Sequence, residues 1–160
     1  MSETHPETRA RMVDVGSKEI SDREALAEGV VRMSPPTMEL VMKGKLNKGD
    51  ALEVARIAGI MGAKRTSELV PLCHPIALNA IDISFEPRDD GVRILARAKT
   101  TERTGVEMEA LTAVAIAALT LYDMVKGTER AVEIGDVRLL QKSGGRSGDW
   151  SRDSEVPNSA

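Results

Sequence analysis

Residues 76–100 read IALNAIDISFEPRDDGVRILARAKT, and their periodicity decides the fold. Ile81, Ile83 and Phe85 alternate with Asp82, Ser84 and Glu86, the two-residue period of a strand with one dry face and one wet face. This predicts a strand over 76–86. PRDDG (87–91) supplies turn residues, and VRILARAKT (92–100) returns as the second strand of a hairpin.

On both sides of the hairpin the period changes to that of a helix. Upstream, Asp50 and Glu53 have capping-box spacing ahead of ALEVARIAGIMGAKRTSEL, which predicts a helix over 51–69. Val54, Ile57 and Met61 form its apolar stripe, while Ala51, Ala55, Ala58, Gly59 and Gly62 are small enough to let another backbone come close. Downstream, Thr104 and Glu107 repeat the capping-box spacing. That predicts a helix from Gly105 to Lys126, stopped by Gly127.

Three shorter elements complete the order. EGVVRM (28–33) is a β-like run halted by Ser34-Pro35-Pro36, TMELVMKG (37–44) is a short helix closing on Gly44, and AVEIGDVRLLQK (131–142) is a final strand interrupted by a glycine. Strand, helices, strand, strand, helix, strand is the split β-α-β-β-α-β order. The expected class is therefore α+β and ferredoxin-like, an antiparallel sheet with its helices packed on one face. One domain is expected over 13–150, between flexible tails at 1–12 and 151–160.

Composition limits what such a domain does. The chain has 160 residues and a net charge of −3, with 41% apolar and 29% charged residues, ordinary for a soluble domain with one core. A generally basic nucleic-acid surface is absent. One Phe, one Tyr and one Trp supply almost no base-stacking platform. The single cysteine, Cys73, excludes an intrachain disulfide and any multi-cysteine zinc site. The N-terminus has no apolar core of a signal peptide, and the longest apolar run falls short of the roughly 18 residues of a membrane span. A cytoplasmic protein is expected, with neither nucleic acid nor membrane as partner.

The second long helix reads ALTAVAIAALTLY over 110–122, with two threonines as its only wet positions. A helix apolar nearly all round is buried nearly all round, which in a small two-layer domain calls for a second copy of the chain. Asp123 and Lys126 follow at once. The bland reading is an i,i+3 ion pair, its lysine well placed at the negative end of the helix dipole. The sharper reading is that partial burial raises the carboxyl and lowers the amine until the two exchange protons near neutral pH. Glu109 shares their helix face, but 14 residues at 1.5 Å each put it roughly 21 Å from Asp123. One compact ligand cannot touch both within one chain.

Other polar groups read as surface residues when taken singly. His74 follows Cys73 in PLCHP, where the flanking prolines fix the backbone but adjacent side chains diverge. KSGGRSGDW (142–150) joins glycines and serines to Lys142 and Arg146; it suits a phosphate cradle or a loose tail, and its spacing is not that of a P-loop. Arg23, Lys48 and Lys64 are scattered cations which together could form an anion pocket.

Several stretches coincide, in order, with one family. VDVGSK (13–18), S-x-R-x-A (21–25), KGD (48–50), ARIAGIMGAKRTSELVPLCHP (55–75), TGVEMEALTA (104–113), LYDMVK (121–126) and KSGGRSGD (142–149) carry a resemblance to the MoaC family of molybdenum cofactor biosynthesis over roughly residues 12–150. The resemblance implies a ferredoxin-like fold assembled into hexamers as trimers of dimers, with sites at subunit interfaces. It implies conversion of 3′,8-cyclised dihydro-GTP, supplied by the pathway's radical GTP cyclase, into cyclic pyranopterin monophosphate and pyrophosphate. By position, Asp123 and Lys126 match the family's catalytic pair. Leu72, Cys73, His74, Met108 and Glu109 match substrate contacts, and Arg23, Lys48, Lys64 and Lys142 match the basic residues around the substrate. Arg146 stands where lysine is usual and Ser21 where threonine is usual; Arg146 is left out of the set because its donor geometry differs. No cofactor and no all-protein metal site are expected, and Mg²⁺ could accompany the triphosphate without a site assigned to it. A ferredoxin-like regulatory module that binds a small molecule without catalysis is the rival reading, since fold alone does not separate sensor from enzyme.

Overall fold

The computed structural model describes residues 9–154, the side chain of Ser154 excepted. Most of the two expected tails, 1–8 and 155–160, lies outside the described residues. In chain order the elements are β1 (Ser21–Arg32), α1 (Pro35–Met42), α2 (Ala51–Lys64), α3 (Thr66–Leu69), β2 (Ala80–Arg88), β3 (Gly91–Glu102), α4 (Glu107–Val125), β4 (Glu133–Ser143) and β5 (Trp150–Ser151). A short 3-10 turn, Arg152–Ser154, follows. Arg152 Nε donates to Leu139 O at 2.8 Å, so the first residues of the expected C-terminal tail are tied to the sheet.

The hairpin is β2–β3, paired antiparallel from Ala80↔Lys99 to Arg88↔Gly91. Its first strand starts later than the alternation suggests. Residues 76–79 approach β3 as irregular chain, with Thr100 Oγ1 donating to Ala77 O at 2.5 Å. The full sheet order is β2-β3-β1-β4-β5, and every neighbouring pair is antiparallel.

β1 is longer than its sequence pattern indicates, because residues 21–27 belong to it. Register explains why. On the dry face Ala25, Ala27, Gly29 and Val31 lie opposite Ala98, Ala96, Ile94 and Val92, a floor of small and branched residues. A Cβ on Gly29 would sit 2.6 Å from Val114 Cγ1, so α4 comes down onto the sheet at that point. On the other face Glu28 is 3% exposed, with Arg93 Nη2 at 2.6 Å and Arg138 Nε at 2.7 Å. Burial pushes the Glu28 carboxyl up, but the two arginines outweigh it and hold it below its ordinary range.

α2 packs on α4 through its small residues, as expected: Ala51, Ala55, Gly59, Gly62 and Ala63 are buried. A Cβ on Gly59 would meet Ala113 O at 2.8 Å. The expected apolar stripe is different. Val54, Ile57 and Met61 are 43%, 57% and 50% exposed, so they face away from the chain's own core. The helix also ends at Lys64, with α3 a separate turn in which Thr66 Oγ1 donates to Ala63 O.

Of the two capping boxes, the first is half made. Asp50 Oδ1 accepts from Leu52 N and Glu53 N at 3.1 and 3.2 Å, while Glu53 turns to Arg56. The second does not form. Val106, 1% exposed, is the N-cap of α4 without a side-chain cap, because its side chain is drawn into the core and the helix starts after it. Gly127 is not among the left-handed glycines; the helix closes through Thr128 N and Glu129 N, which both donate to Val125 O. α4 itself is long and apolar enough to cross a bilayer by composition, beyond what the sequence run suggests, yet 56% of it is buried within the domain, as befits a core helix.

Candidate functional site

At the C-terminal end of α4, Lys126 Nζ lies 2.6 Å from Asp123 Oδ1. A third residue joins them. The turn after α1, closed by Gly49 N donating to Leu46 O at 2.9 Å, presents Lys48, whose Nζ is 3.0 Å from both Asp123 Oδ2 and Asp123 O. Buried Leu46 anchors that turn. Of the two readings of this pair, the single chain has the i,i+3 ion pair, with both side chains about half exposed. Hydrogen bonds from Lys126 and Lys48 hold the Asp123 carboxyl below its ordinary range. The Asp123 hydrogen bond pushes the Lys126 ammonium above its own. The resting pair is carboxylate and ammonium.

At the other end of α4 the chemistry reverses. Leu72, Cys73, His74, Met108 and Glu109 border one cavity of about 480 Å³, so the sequence-predicted substrate contacts do converge. Glu109 is 4% exposed, and its Oε2 has no hydrogen-bond partner. Burial pushes its carboxyl up to about 7, and the nearby charge of Glu107 adds to the effect. Burial also raises the Cys73 thiol, assisted by Glu109. A buried, unpaired carboxyl in a cavity costs stability, and such groups concentrate at functional sites.

A cationic cleft of about 890 Å³ lies beside this cavity, bordered by Lys18, Ser21, Arg23, Arg146 and Ser147. Lys18 borders both spaces. Arg23 is held by backbone carbonyls at the end of the facing strand β3, Nε donating to Glu102 O at 2.9 Å and Nη2 to Arg103 O at 3.2 Å. The 142–149 segment is folded onto it as a loop. Gly144 and Gly145 have φ of +85° and +79°, and a Cβ on Gly145 would strike the Arg23 guanidinium. Lys142 Nζ is 2.5 Å from Ser147 Oγ and 3.9 Å from Glu107 Oε1, linking loop to helix. Ser21 Oγ is buried without a partner. Lys18 and Arg146 were not in the sequence-predicted set; the VDVGSK and KSGGRSGD motifs were the signals for them.

The site residues thus fall into two groups. His74, Glu109, Arg23 and Lys142 gather around the start of α4, whereas Lys48, Asp123 and Lys126 gather at its end. Lys64 ends α2 and makes no ion pair among the described residues; Lys48 precedes the same helix, whose 14 residues span about 21 Å. Among the described residues no three His, Cys, Asp or Glu side chains converge as metal ligands would.

The MoaC family model matches residues 12–145 of this chain. The chain belongs to the MoaC family. A Brucella ovis protein named cyclic pyranopterin monophosphate synthase is 54% identical over 144 residues, covering 89% of this chain and 87% of its own length. A Brucella melitensis protein with the same name has the same identity and coverage, and one from Brucella canis is 53% identical over 144 residues, with 89% and 87% covered. The MoaC match takes in both ends of α4, Lys48 and the first half of the glycine loop.

Proposed function

We propose that this chain is a cyclic pyranopterin monophosphate synthase of molybdenum cofactor biosynthesis. It converts (8S)-3′,8-cyclo-7,8-dihydroguanosine 5′-triphosphate to cyclic pyranopterin monophosphate and pyrophosphate. Family membership and the name carried by relatives that match most of the chain support this reading. The sheet order β2-β3-β1-β4 with antiparallel neighbours supports a ferredoxin-like assignment.

One observation shapes the mechanism: the orphaned Glu109 and the Asp123–Lys126 pair stand at opposite ends of one 19-residue helix. A single substrate meets both only when a second copy brings the end of its α4 to the start of the first. This favours an active site shared between protomers, and the trimer of dimers implied by the family resemblance would supply such a second copy. The uncovered Val54, Ile57, Met61 and Leu119 are apolar surface available for that assembly. The protein works in the cytoplasm.

In such a site Lys18, Arg23, Lys64, Lys142 and Arg146 neutralise the triphosphate and the charge that grows on departing pyrophosphate. His74 and Glu109 hold the ring system. Lys126, resting as ammonium, donates a proton to the rearranging ring, and Asp123, resting as carboxylate, accepts one. A ribose hydroxyl then attacks the α-phosphate. Its oxygen–phosphorus bond forms, its proton passes to the Lys126 amine left neutral by the earlier donation, and pyrophosphate departs with the electrons of the cleaved bond. No oxidant or reductant enters the balance, so the protein needs no redox cofactor.

The test is to mix the chain with the cyclised dihydro-GTP and measure pyrophosphate and pterin product. Stoichiometric release of both supports catalysis. Tight binding with the triphosphate intact would identify the regulatory module instead.

A further inference from the structure

Glu129 lies three residues beyond Lys126, and neither the sequence motifs nor the proposed chemistry uses it. Its carboxylate reaches across to the junction of β1 and α1. Ser34 N donates to Oε1 and Oε2 at 3.3 and 3.1 Å, Ser34 Oγ to Oε2 at 2.7 Å, and Thr37 Oγ1 to Oε2 at 2.6 Å. Thr37 is 3% exposed. These hydrogen bonds, those from Thr37 and Ser34 being the largest influence, hold the carboxyl below its ordinary range.

Helix capping does not account for this arrangement. Pro35 and Pro36 open α1 and have no N–H to satisfy. Glu129 instead takes two hydroxyls and the Ser34 N–H just before the helix. What it gains is a tie between the two segments that also meet at the site through Lys48 and Asp123. On one side, Thr128 N and Glu129 N both donate to Val125 O, at 2.8 and 3.0 Å, folding the turn back on the end of α4. On the other, α1 leads through Lys45 N, which donates to Leu40 O at 2.9 Å, into the turn that presents Lys48. The path closes on itself: Lys126, Glu129, Thr37, α1, Lys48, Asp123.

We infer that Glu129 is a positioning residue that holds Lys48 against Asp123 and so fixes the geometry of the Lys48–Asp123–Lys126 cluster. It touches no substrate. This inference rests on the reading of Asp123 and Lys126 as the catalytic pair. Only Lys126, from the same helix, and Lys48, from the facing turn, make ion pairs with Asp123 among the described residues. Release of Lys48 therefore leaves Asp123 with one cation in place of two.

The experiment uses the full chain with Glu129→Ala, Glu129→Gln and Thr37→Val, beside Lys48→Met and Lys126→Ala. The first readout needs no substrate: the Asp123 carboxyl carbon is titrated by NMR. Glu129→Ala should move its midpoint upward by ~0.5 pH unit or more, toward the Lys48→Met value, with a smaller move for Glu129→Gln. The second readout is turnover. kcat should fall ~10- to 100-fold while KM changes by about twofold at most, and Glu129→Ala should add little once Lys48→Met is present. If Glu129→Ala does not fold, Glu129→Gln and Thr37→Val carry the same comparison. A midpoint unmoved in every folded variant, or effects fully additive with Lys48→Met, overturns the inference and leaves Glu129 as a structural tie. Full turnover by Lys126→Ala would instead overturn the catalytic pair, an outcome distinct from any result at Glu129.

Discussion

Lys48 and Asp123, 75 residues apart in sequence, meet through an Nζ–Oδ2 contact of 3.0 Å. The same ammonium is 3.0 Å from Asp123 O, so it engages both the carboxylate and the end of α4, where the helix dipole is negative. This joins Lys48 to the Asp123–Lys126 pair proposed as catalytic. Hydrogen bonds from Lys126 and Lys48 hold the Asp123 carboxyl below its ordinary range, which keeps it ionised for the role of base proposed for it. Lys48→Met should raise its midpoint and shift the acid limb of kcat upward, since a group held low by cations loses its charge at higher pH when one is removed. A pH–rate profile gives the answer, and an unmoved acid limb would separate Lys48 from the chemistry.

Lys126 carries the sharpest loss. Lys126→Ala should preserve far-ultraviolet dichroism and substrate binding, because its side chain is about half exposed and packs no core. Turnover should fall by ~100-fold or more, the scale of a lost proton donor. Single-turnover product analysis, run beside equilibrium binding, distinguishes chemistry from affinity. Near-normal product formation would take Lys126 out of the reaction.

Glu109 predicts a stability curve of unusual sign. Its carboxyl is raised from 4.5 to about 7 in the folded chain, so between those values the native state holds a proton that the unfolded state has released. Stability contributed by that proton is complete below about 4.5 and is lost as pH rises through about 7. The loss is on the order of 3 kcal/mol, from 1.36 kcal/mol per pH unit. Urea denaturation of the wild type and Glu109→Gln at pH 5 and pH 8 tests it. The substitution should stabilise at pH 8 more than at pH 5, whereas an equal effect at both would mean that Glu109 is ionised throughout.

The contact of α2 with α4 makes a packing prediction. At Gly59 a Cβ would lie 2.5 Å from Ile83 Cδ1 and 2.8 Å from Ala113 O; the second is backbone and cannot rotate away. Gly59→Ala should therefore destabilise by about 1–3 kcal/mol despite the better helix propensity of alanine. A lower urea midpoint with an unchanged slope is the expected result, and any gain in stability would contradict the close approach.

What could be read before folding was what periodicity and turn chemistry encode locally. The hairpin, the close-packing glycines of α2, the apolar α4 and the Asp123–Lys126 pair all follow from neighbours within a few residues. The misreadings share a cause, because each needed a partner distant in sequence. Val54, Ile57 and Met61 were apolar at helical spacing, but hydropathy does not say whether a face meets its own core or another surface. The first half of β1, residues 21–27, was hidden by its charged residues Asp22, Arg23 and Glu24; Glu24 sits in the sheet because Arg97 and Lys99 answer it from the neighbouring strand. Thr104 had capping-box spacing, yet burial of Val106 won the helix start. Lys48 and Asp123 could not be paired from sequence, since only the tertiary fold brings them together.

The strongest prediction concerns a site made by two chains. In an isologous pair each protomer lends the start of its α4 to one site and the end of its α4 to the other. His74→Ala disables the first contribution and Lys126→Ala the second, so each variant alone should be inactive. Mixed, dissociated and reassembled in equal amounts, they form hybrids in which one site has both defects and the other has neither. Half of the pairs are hybrids and half of their sites are intact, giving about a quarter of wild-type activity by random pairing. A control in which Ile57→Asp is added to both variants should stay inactive if the exposed α2 face joins the protomers, because a buried unpaired charge opposes that contact. Absence of any recovery in hybrids whose assembly is verified by mass spectrometry would show that each chain works alone, and that the two ends of α4 serve separate purposes.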